Sequence, residues 1–330
     1  MKAAFVREPG PAESIEYGDL PEPEVSGREV LIRMGAVSVN PVDTYTRAGV
    51  MGWEMPMPFV VGCDIAGTVE AVGPEATRFK VGDRVWGSNQ GLLGRQGTFS
   101  ELAAIDEEWL YATPEGVSDE DAAAGSLVGI TAHLGLVMRA GLQAGEKLFV
   151  VGGTGGVGSS VVQMAKAIGA EVSCCNGSDE KCETAKGLGA DDAFNYKTTS
   201  ISDGVKAFAP EGLDVYWETR REPDFEMVME LMAHRGRVVV MAGRDALVPF
   251  PVGPFYFNEC TMVGFVMFRC TPDEQRACAK DINRWLVGGQ FKPRIDRVMG
   301  LSEAAEAHRL QEAATVGGEG GLAGKIVLTP

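Results

Sequence analysis

The sequence predicts an α/β chain of two domains, a β-rich barrel-like unit followed by a doubly wound parallel sheet. Three observations carry this. The chain has 330 residues, long for one domain and natural for two. Residues 1–120 alternate short β-rich runs with Gly and Pro turns, the texture of a compact antiparallel unit. From residue 147 the pattern becomes strand, helix, strand, which indicates parallel strands joined by right-handed crossovers.

In the first region the strand candidates are AAFV, EVLIRMGAVSV, AGTVEAVG, DRVWG and FSELAAI. At Ser118 the texture changes to helix: SDEDAAAGSLVGITAHLGLVMRAG opens with a Ser cap and acidic first-turn residues and continues rich in Ala and Leu. LQAGEK follows as a turn. KLFVVG is a buried strand, SSVVQMAKAIG a helix, EVSCC a strand and DEKCETAKGLG a helix ended by Gly. DAFNY, LDVYWE, RVVVMAG and CTMVGFVM are further strands. The tail holds a helix (PDEQRACAKDINRWLVGG), an amphipathic stretch (SEAAEAHRLQEA), a Gly-rich loop and a last strand, KIVLTP. The domains are expected at 1–124 with 269–330, and at 125–268.

Hydrophobic residues make up 45% and charged residues 23%, as in a chain with a packed core. The net charge is −16. Such a surface repels phosphate backbones and argues against nucleic acid and anionic membrane as partners. The N-terminal stretch lacks the apolar core of a secretory signal, and no stretch reads as a transmembrane helix. The seven cysteines have neither zinc-ribbon spacing nor an even count, so reduced thiols and a cytoplasmic location are expected.

VVGGTGGVGSS contains G-x-G-x-x-G at Gly153, Gly155 and Gly158. It follows a buried strand and opens a helix, the context that makes the pattern specific. Without Cβ atoms the backbone can approach a pyrophosphate while the helix N-terminus presents unpaired N–H groups. Gly156 and Val157 belong to the same turn. In such folds an acid that selects NAD lies at the end of the second strand, about 20 residues on. Here that region is Cys174–Gly177 and holds no Asp or Glu. Asn176, the small Gly177 and Ser178, and Lys181 suit a 2′-phosphate, so NADPH is the expected cofactor. Asp179 and Glu180 argue the other way unless they point to solvent.

Across nearly its whole length the chain resembles the medium-chain dehydrogenase/reductase superfamily. The motifs are VNPVDTYTRAG (39–49), VVGCDIAGTVEAVG (60–73), FKVGDRVWG (79–87), GTFSELAAI (97–105), AAAGSLVGITAHLGL (122–136), the glycine loop with its helix (150–172), GLGADDAFNY (187–196) and GKIVL (324–328). The branch it is most similar to is the zinc-free NADPH:quinone oxidoreductases, the zeta-crystallin-like group. The resemblance implies a GroES-like β-rich substrate domain and a Rossmann domain. It also implies a homodimer, formed by pairing of the sixth strand around Thr261–Met267. In zinc-dependent relatives the catalytic ion takes Cys, His and Cys with a Glu beside the His. The corresponding positions here are Asn40, Cys63 with Asp64, and Leu127, so no zinc is expected.

Without a Lewis acid, reduction of quinones or reactive α,β-unsaturated carbonyls remains, needing a hydride and a proton or hydrogen-bond donor. Asn40 can hold the acceptor or the nicotinamide ribose, Tyr45 can donate its O–H, and Asp43 can orient either; cap and packing roles stand beside these. By resemblance Thr131 approaches the nicotinamide, Tyr196 flanks the adenosine phosphate and Lys325 contacts the cofactor phosphates. One departure is Met51, where the family usually has Tyr. This weakens the alternative of an enoyl thioester reductase. Met51, Trp53, Met55 and Met57 are read either as an apolar lip over a flat ring or as loop packing. His133, His234 and His308 read as structural or surface residues. A binding protein with little turnover, acting as a sensor or structural protein, is the alternative from another class.

Overall fold

Alternating burial along Glu29–Ser38, with Val30, Ile32 and Met34 inward, makes this strand the spine of the first unit. A computed structural model describes residues 1–315 and 321–330 of the chain; 316–320, within the predicted Gly-rich loop, lie outside the described residues. The chain divides into a unit of residues 1–130, 270–287 and 293–330, and a unit of residues 131–269 with 288–292.

In the first unit Glu29–Ser38 pairs antiparallel with Ile65–Val72 and Leu102–Asp106. Ile65–Val72 pairs in turn with Arg84–Gly87, which pairs with Leu110–Ala112. The C-terminal strand Lys325–Thr329 joins the other side, with Val327 opposite Ser38, and carries Ile295–Gly300 beyond it in parallel. Phe5, Ile32, Phe59, Val85, Phe99, Leu110, Ile326 and Leu328 fill the core. The pairing of Lys325–Thr329 with Glu29–Ser38 is what brings the chain's end to residues 38–40. Directly after them stands a helix, Pro41–Arg47, that the sequence reading leaves unassigned. Pro41 sits at its first turn, and the Asp43 carboxylate accepts from the backbone N–H of Asn40, the N-cap residue, at 2.7 Å.

The second unit is built on six parallel strands in spatial order Asp192–Asn195, Glu171–Asn176, Lys147–Val151, Leu213–Glu218, Met232–Val240 and Thr261–Gly264. In chain order that is 3-2-1-4-5-6, the doubly wound arrangement whose ligands bind beyond the carboxyl ends of the strands. Phe149, Val151, Cys175, Tyr216 and Val238 lie in one of its cores. Crossover helices stand at Gly156–Ile168 and Asp179–Gly187 as predicted, and at Ile201–Phe208 and Phe225–Leu231, which carry no prediction.

The helix read from Ser118 runs from Asp119 to His133 and continues as a wider π-helical stretch, Leu134–Arg139. Contrary to the sequence reading, Asp119–Arg139 is long and apolar enough to cross a membrane by length and composition; 78% of its apolar window is buried inside the protein, as in a core helix. Gly135 lies flat on the Trp217 indole, where a Cβ would come within 2.2 Å of a ring carbon.

Candidate active site and cofactor loop

The glycine loop leaves the strand Lys147–Val151 at Gly152, whose φ of +74° favours glycine. A Cβ on Gly153 would meet Cys174 Sγ at 2.5 Å, and one on Gly158 would meet the Gly152 carbonyl oxygen at 2.0 Å. Those two glycines are required by the packing of helix on strand. Gly155, the N-cap of Gly156–Ile168, differs: the nearest atom to its virtual Cβ is 3.7 Å away. The chain itself leaves this position open, as close approach by an outside group would need. Gly156 and Val157 follow on the first turn, partly exposed.

At the end of the second strand Asn176 is buried, and its Oδ1 accepts a hydrogen bond from Thr154 Oγ1 at 3.1 Å. Asn176 was expected to help make room for a 2′-phosphate; its amide is instead turned inward, onto the Thr154 hydroxyl of the glycine loop and the Cys174 sulfur. The surface there is made by its neighbours. Ser178 caps the helix Asp179–Gly187, its Oγ accepting from the Lys181 N–H at 3.3 Å. Tyr196 is half-exposed, and its hydroxyl lies 2.8 Å from where a Gly177 Cβ would stand. Asp179 and Glu180 are exposed, and Asp179 accepts from Asn195 Nδ2 at 2.8 Å. Thr131 is buried within its helix.

In the first unit a polar cluster is sealed in the core. Asp64 is fully buried. Its Oδ2 accepts from Ser38 Oγ at 2.5 Å and Asn40 Nδ2 at 2.8 Å, and its Oδ1 from Ser88 Oγ at 2.8 Å and the Leu127 N–H at 3.1 Å. The Lys325 ammonium is 3.8 Å from the same carboxylate. It donates to Asn40 Oδ1 and, at 2.7 Å, to the Val39 carbonyl. An unpaired buried charge costs several kcal/mol; here each ion has its counter-ion and hydrogen bonds. Burial still pushes the Lys325 ammonium down from its ordinary range, against the pull of Asp64 and Asp43.

This arrangement changes three expectations. Lys325 is neither an exposed strand charge nor turned to a phosphate: its ammonium is buried on Asn40 and Val39. The Asn40 amide is spent on Lys325, Asp64 and the Ser38 carbonyl, so it does not face an acceptor. Asp43 is buried as well, its Oδ2 accepting from the Asn40 N–H at 2.7 Å. Burial, with the Asp64 charge added, pushes the Asp43 carboxyl up to about 7, against opposing contacts with Cys63 and the Asn40 N–H. Of the three predicted catalytic residues, Tyr45 alone keeps partial exposure.

Met55 packs against the core while Met57 is exposed, so the predicted lip is split. His133 and His308 are buried, and His234 is a surface residue 3.5 Å from Glu259. The roles of Ser38, Asp64 and Ser88 in one cluster escaped sequence reasoning; a lone carboxylate in the apolar run VVGCDIAG was the available signal.

Family models match two stretches: one described as an alcohol dehydrogenase GroES-like domain, over residues 26–115, and one described as a zinc-binding dehydrogenase, over 156–283. The human quinone oxidoreductase is 31% identical over 310 residues, covering 93% of both chains. The solved quinone oxidoreductase of Pseudomonas syringae pv. Tomato DC3000 superposes with a TM-score of 0.86 at 28% identity, covering 100% of this chain and 99% of that one. A mycobacterial structure complexed with NADPH superposes with a TM-score of 0.85 at 26% identity, covering 100% of each. The residues here do not fit the zinc that the second family description implies. Asn40 and Leu127 offer no good ligand at the expected positions, and the Asp64 carboxylate is saturated by four donors and an ammonium. Among the described residues no group of three His, Cys, Asp or Glu side chains could hold a metal.

Proposed function

From the premise that the chain belongs to the medium-chain dehydrogenase/reductase superfamily, in its quinone oxidoreductase family, we propose that it uses NADPH, without zinc, to reduce quinones or reactive α,β-unsaturated carbonyls. The observation that carries the cofactor choice is the acid-free end of the strand Glu171–Asn176 beside a glycine loop open at Gly155. The loop N–H groups of Gly156, Val157 and Gly158 would take the pyrophosphate at the helix N-terminus. Ser178, Lys181 and Tyr196 would surround the 2′-phosphate, with Gly177 leaving room. When bound, NADPH supplies the hydride.

The chain's own residues hold the acceptor and manage the proton. The Tyr45 phenol donates a hydrogen bond to the acceptor oxygen and then a proton to it, giving a hydroquinone, or an enol that tautomerises to the saturated carbonyl, and the phenolate regains its proton from solvent. The buried Asp43, as the helix-cap partner of Asn40, holds the helix that carries Tyr45. A donor set that does not suit zinc at Asn40, Cys63, Asp64 and Leu127 supports acceptors that are already electrophilic.

We place the protein in the cytoplasm, in keeping with seven buried free cysteines. We also propose a homodimer. The strand Thr261–Gly264 is the edge of its sheet, and Val252, Tyr256 and Phe257 beside it are exposed apolar side chains. Sedimentation at micromolar concentration would report a monomer if this is wrong.

The test of function is NADPH oxidation by metal-free protein with a simple 1,4-quinone, followed by absorbance, with NADH and an enoyl thioester in parallel. Turnover that prefers NADPH and the quinone is expected. Preference for NADH would overturn the phosphate site, and preference for the thioester would overturn the acceptor class.

A further inference from the structure

We infer that Lys325 and Asp64 are positioning residues: a buried ammonium–carboxylate pair that dictates the orientation of the Asn40 amide and thereby sets the helix Pro41–Arg47 that carries Tyr45. The inference rests on the reading of Tyr45 as the donor to the acceptor.

Asn40 Oδ1 meets the Lys325 ammonium, and Asn40 Nδ2 meets the Asp64 carboxylate at 2.8 Å and the Ser38 carbonyl at 3.3 Å. Turning the amide over would set NH2 against an ammonium and oxygen against a carboxylate. The charges therefore select one of two orientations of nearly equal shape. Asn40 is also the N-cap of Pro41–Arg47, and its backbone N–H is held by Asp43 at 2.7 Å. Tyr45 stands two residues beyond Asp43, so it inherits whatever angle the cap imposes.

The pair is isolated from water: Asp64 is 0% and Lys325 about 5% exposed at the side chain. Screening is weak there, and neither partner can lose the other without leaving a buried charge. The three anchors come from distant parts of the chain, at the ends of the strands Glu29–Ser38, Ile65–Val72 and Lys325–Thr329. A clamp made of them transmits the register of the sheet to the helix. None of these side chains reaches the surface, which fits positioning and not contact with substrate.

The experiment compares Lys325→Met, Asp64→Asn and the double variant Lys325→Met/Asp64→Asn with wild type in two readouts. The first is steady-state NADPH-dependent quinone reduction, at a temperature where circular dichroism shows each variant folded. Each single variant is expected to lose between about tenfold and about a hundredfold in kcat, as misplacement of a donor does, with KM for NADPH within about twofold. The double variant should fold better than either single one, because no lone charge is left buried. The second readout is the ultraviolet titration of Tyr45, taken as the difference between each variant and its Tyr45→Phe counterpart. It needs no turnover, so it separates failure of this inference from failure of the quinone-reductase reading. A shifted Tyr45 titration supports the clamp. An unchanged titration together with wild-type kcat in the folded variants overturns it, as does a loss confined to thermal stability. If the single variants do not fold, the double variant alone decides by the same two readouts.

Discussion

The Tyr196 hydroxyl lies 2.8 Å from the point where Gly177 would carry a Cβ, so the ring closes over the end of the second parallel strand. Any side chain at 177 would push the ring away. Gly177→Asp is therefore expected to move Tyr196 and place a carboxylate where a ribose hydroxyl would bind. It should lower kcat/KM for NADPH at least about tenfold while raising that for NADH. Parallel kinetics with the two cofactors check this.

Lys181→Ala should raise KM for NADPH about tenfold, the effect of one charge-assisted hydrogen bond to phosphate, and leave NADH unaffected. An equal effect on both cofactors would place Lys181 outside the phosphate site.

Two alanine substitutions in the glycine loop should behave oppositely. At Gly158 a Cβ would sit 2.0 Å from a backbone oxygen, so Gly158→Ala should destabilise the fold, read as a lower Tm. At Gly155 the nearest non-neighbouring atom to a Cβ among the described residues is the Gly152 carbonyl oxygen at 3.7 Å, an ordinary contact, so Gly155→Ala should keep Tm near wild type and lose NADPH affinity, read by fluorescence titration.

Tyr45→Phe should lower kcat between about a hundredfold and ten-thousandfold, the usual contribution of a positioned acid, with NADPH affinity unchanged. Incubation with a chelator should leave the activity of the purified protein unaltered.

Two buried groups give opposite pH dependences of stability. The Asp43 carboxyl, pushed up to about 7, binds its proton more tightly when folded. Its contribution is complete below about pH 4 and is lost as pH rises through 7. His308 is pushed down to about 3, first by burial and then by the Arg47 guanidinium. Its contribution is complete above about pH 6.5 and is lost as pH falls toward 3. Urea unfolding from pH 4 to 8 should show Asp43→Asn flattening the decline on the alkaline side and His308→Gln flattening the acid side.

The parallel sheet and its glycine loop were legible because local signals agree there: apolar runs of strand length, Gly at turns and periodic helices. The helix Pro41–Arg47 was missed although its capping residues are written out at Asn40, Pro41 and Asp43, since seven residues show no periodicity. Lys325 lay beyond any local reading. Its partner Asn40 is 285 residues away in the chain, and only sheet pairing brings them together. Asn176 was placed correctly at the strand end, but its direction was settled by a hydroxyl on Thr154 that no spacing rule singles out.

Gly135, flat against Trp217, has an optical consequence. Of the five tryptophans, at 53, 86, 109, 217 and 285, Trp217 alone belongs to the unit of residues 131–269 and 288–292. Two residues on, the Thr219 hydroxyl donates to the Val151 carbonyl at 2.8 Å, where the glycine loop begins. The indole is fully buried and wedged between a glycine and Phe265, so its emission should be blue and its anisotropy high. With the other four replaced by phenylalanine, Trp217 becomes a native lamp beside the cofactor loop, and energy transfer from its excited state to reduced nicotinamide would report occupancy without a label.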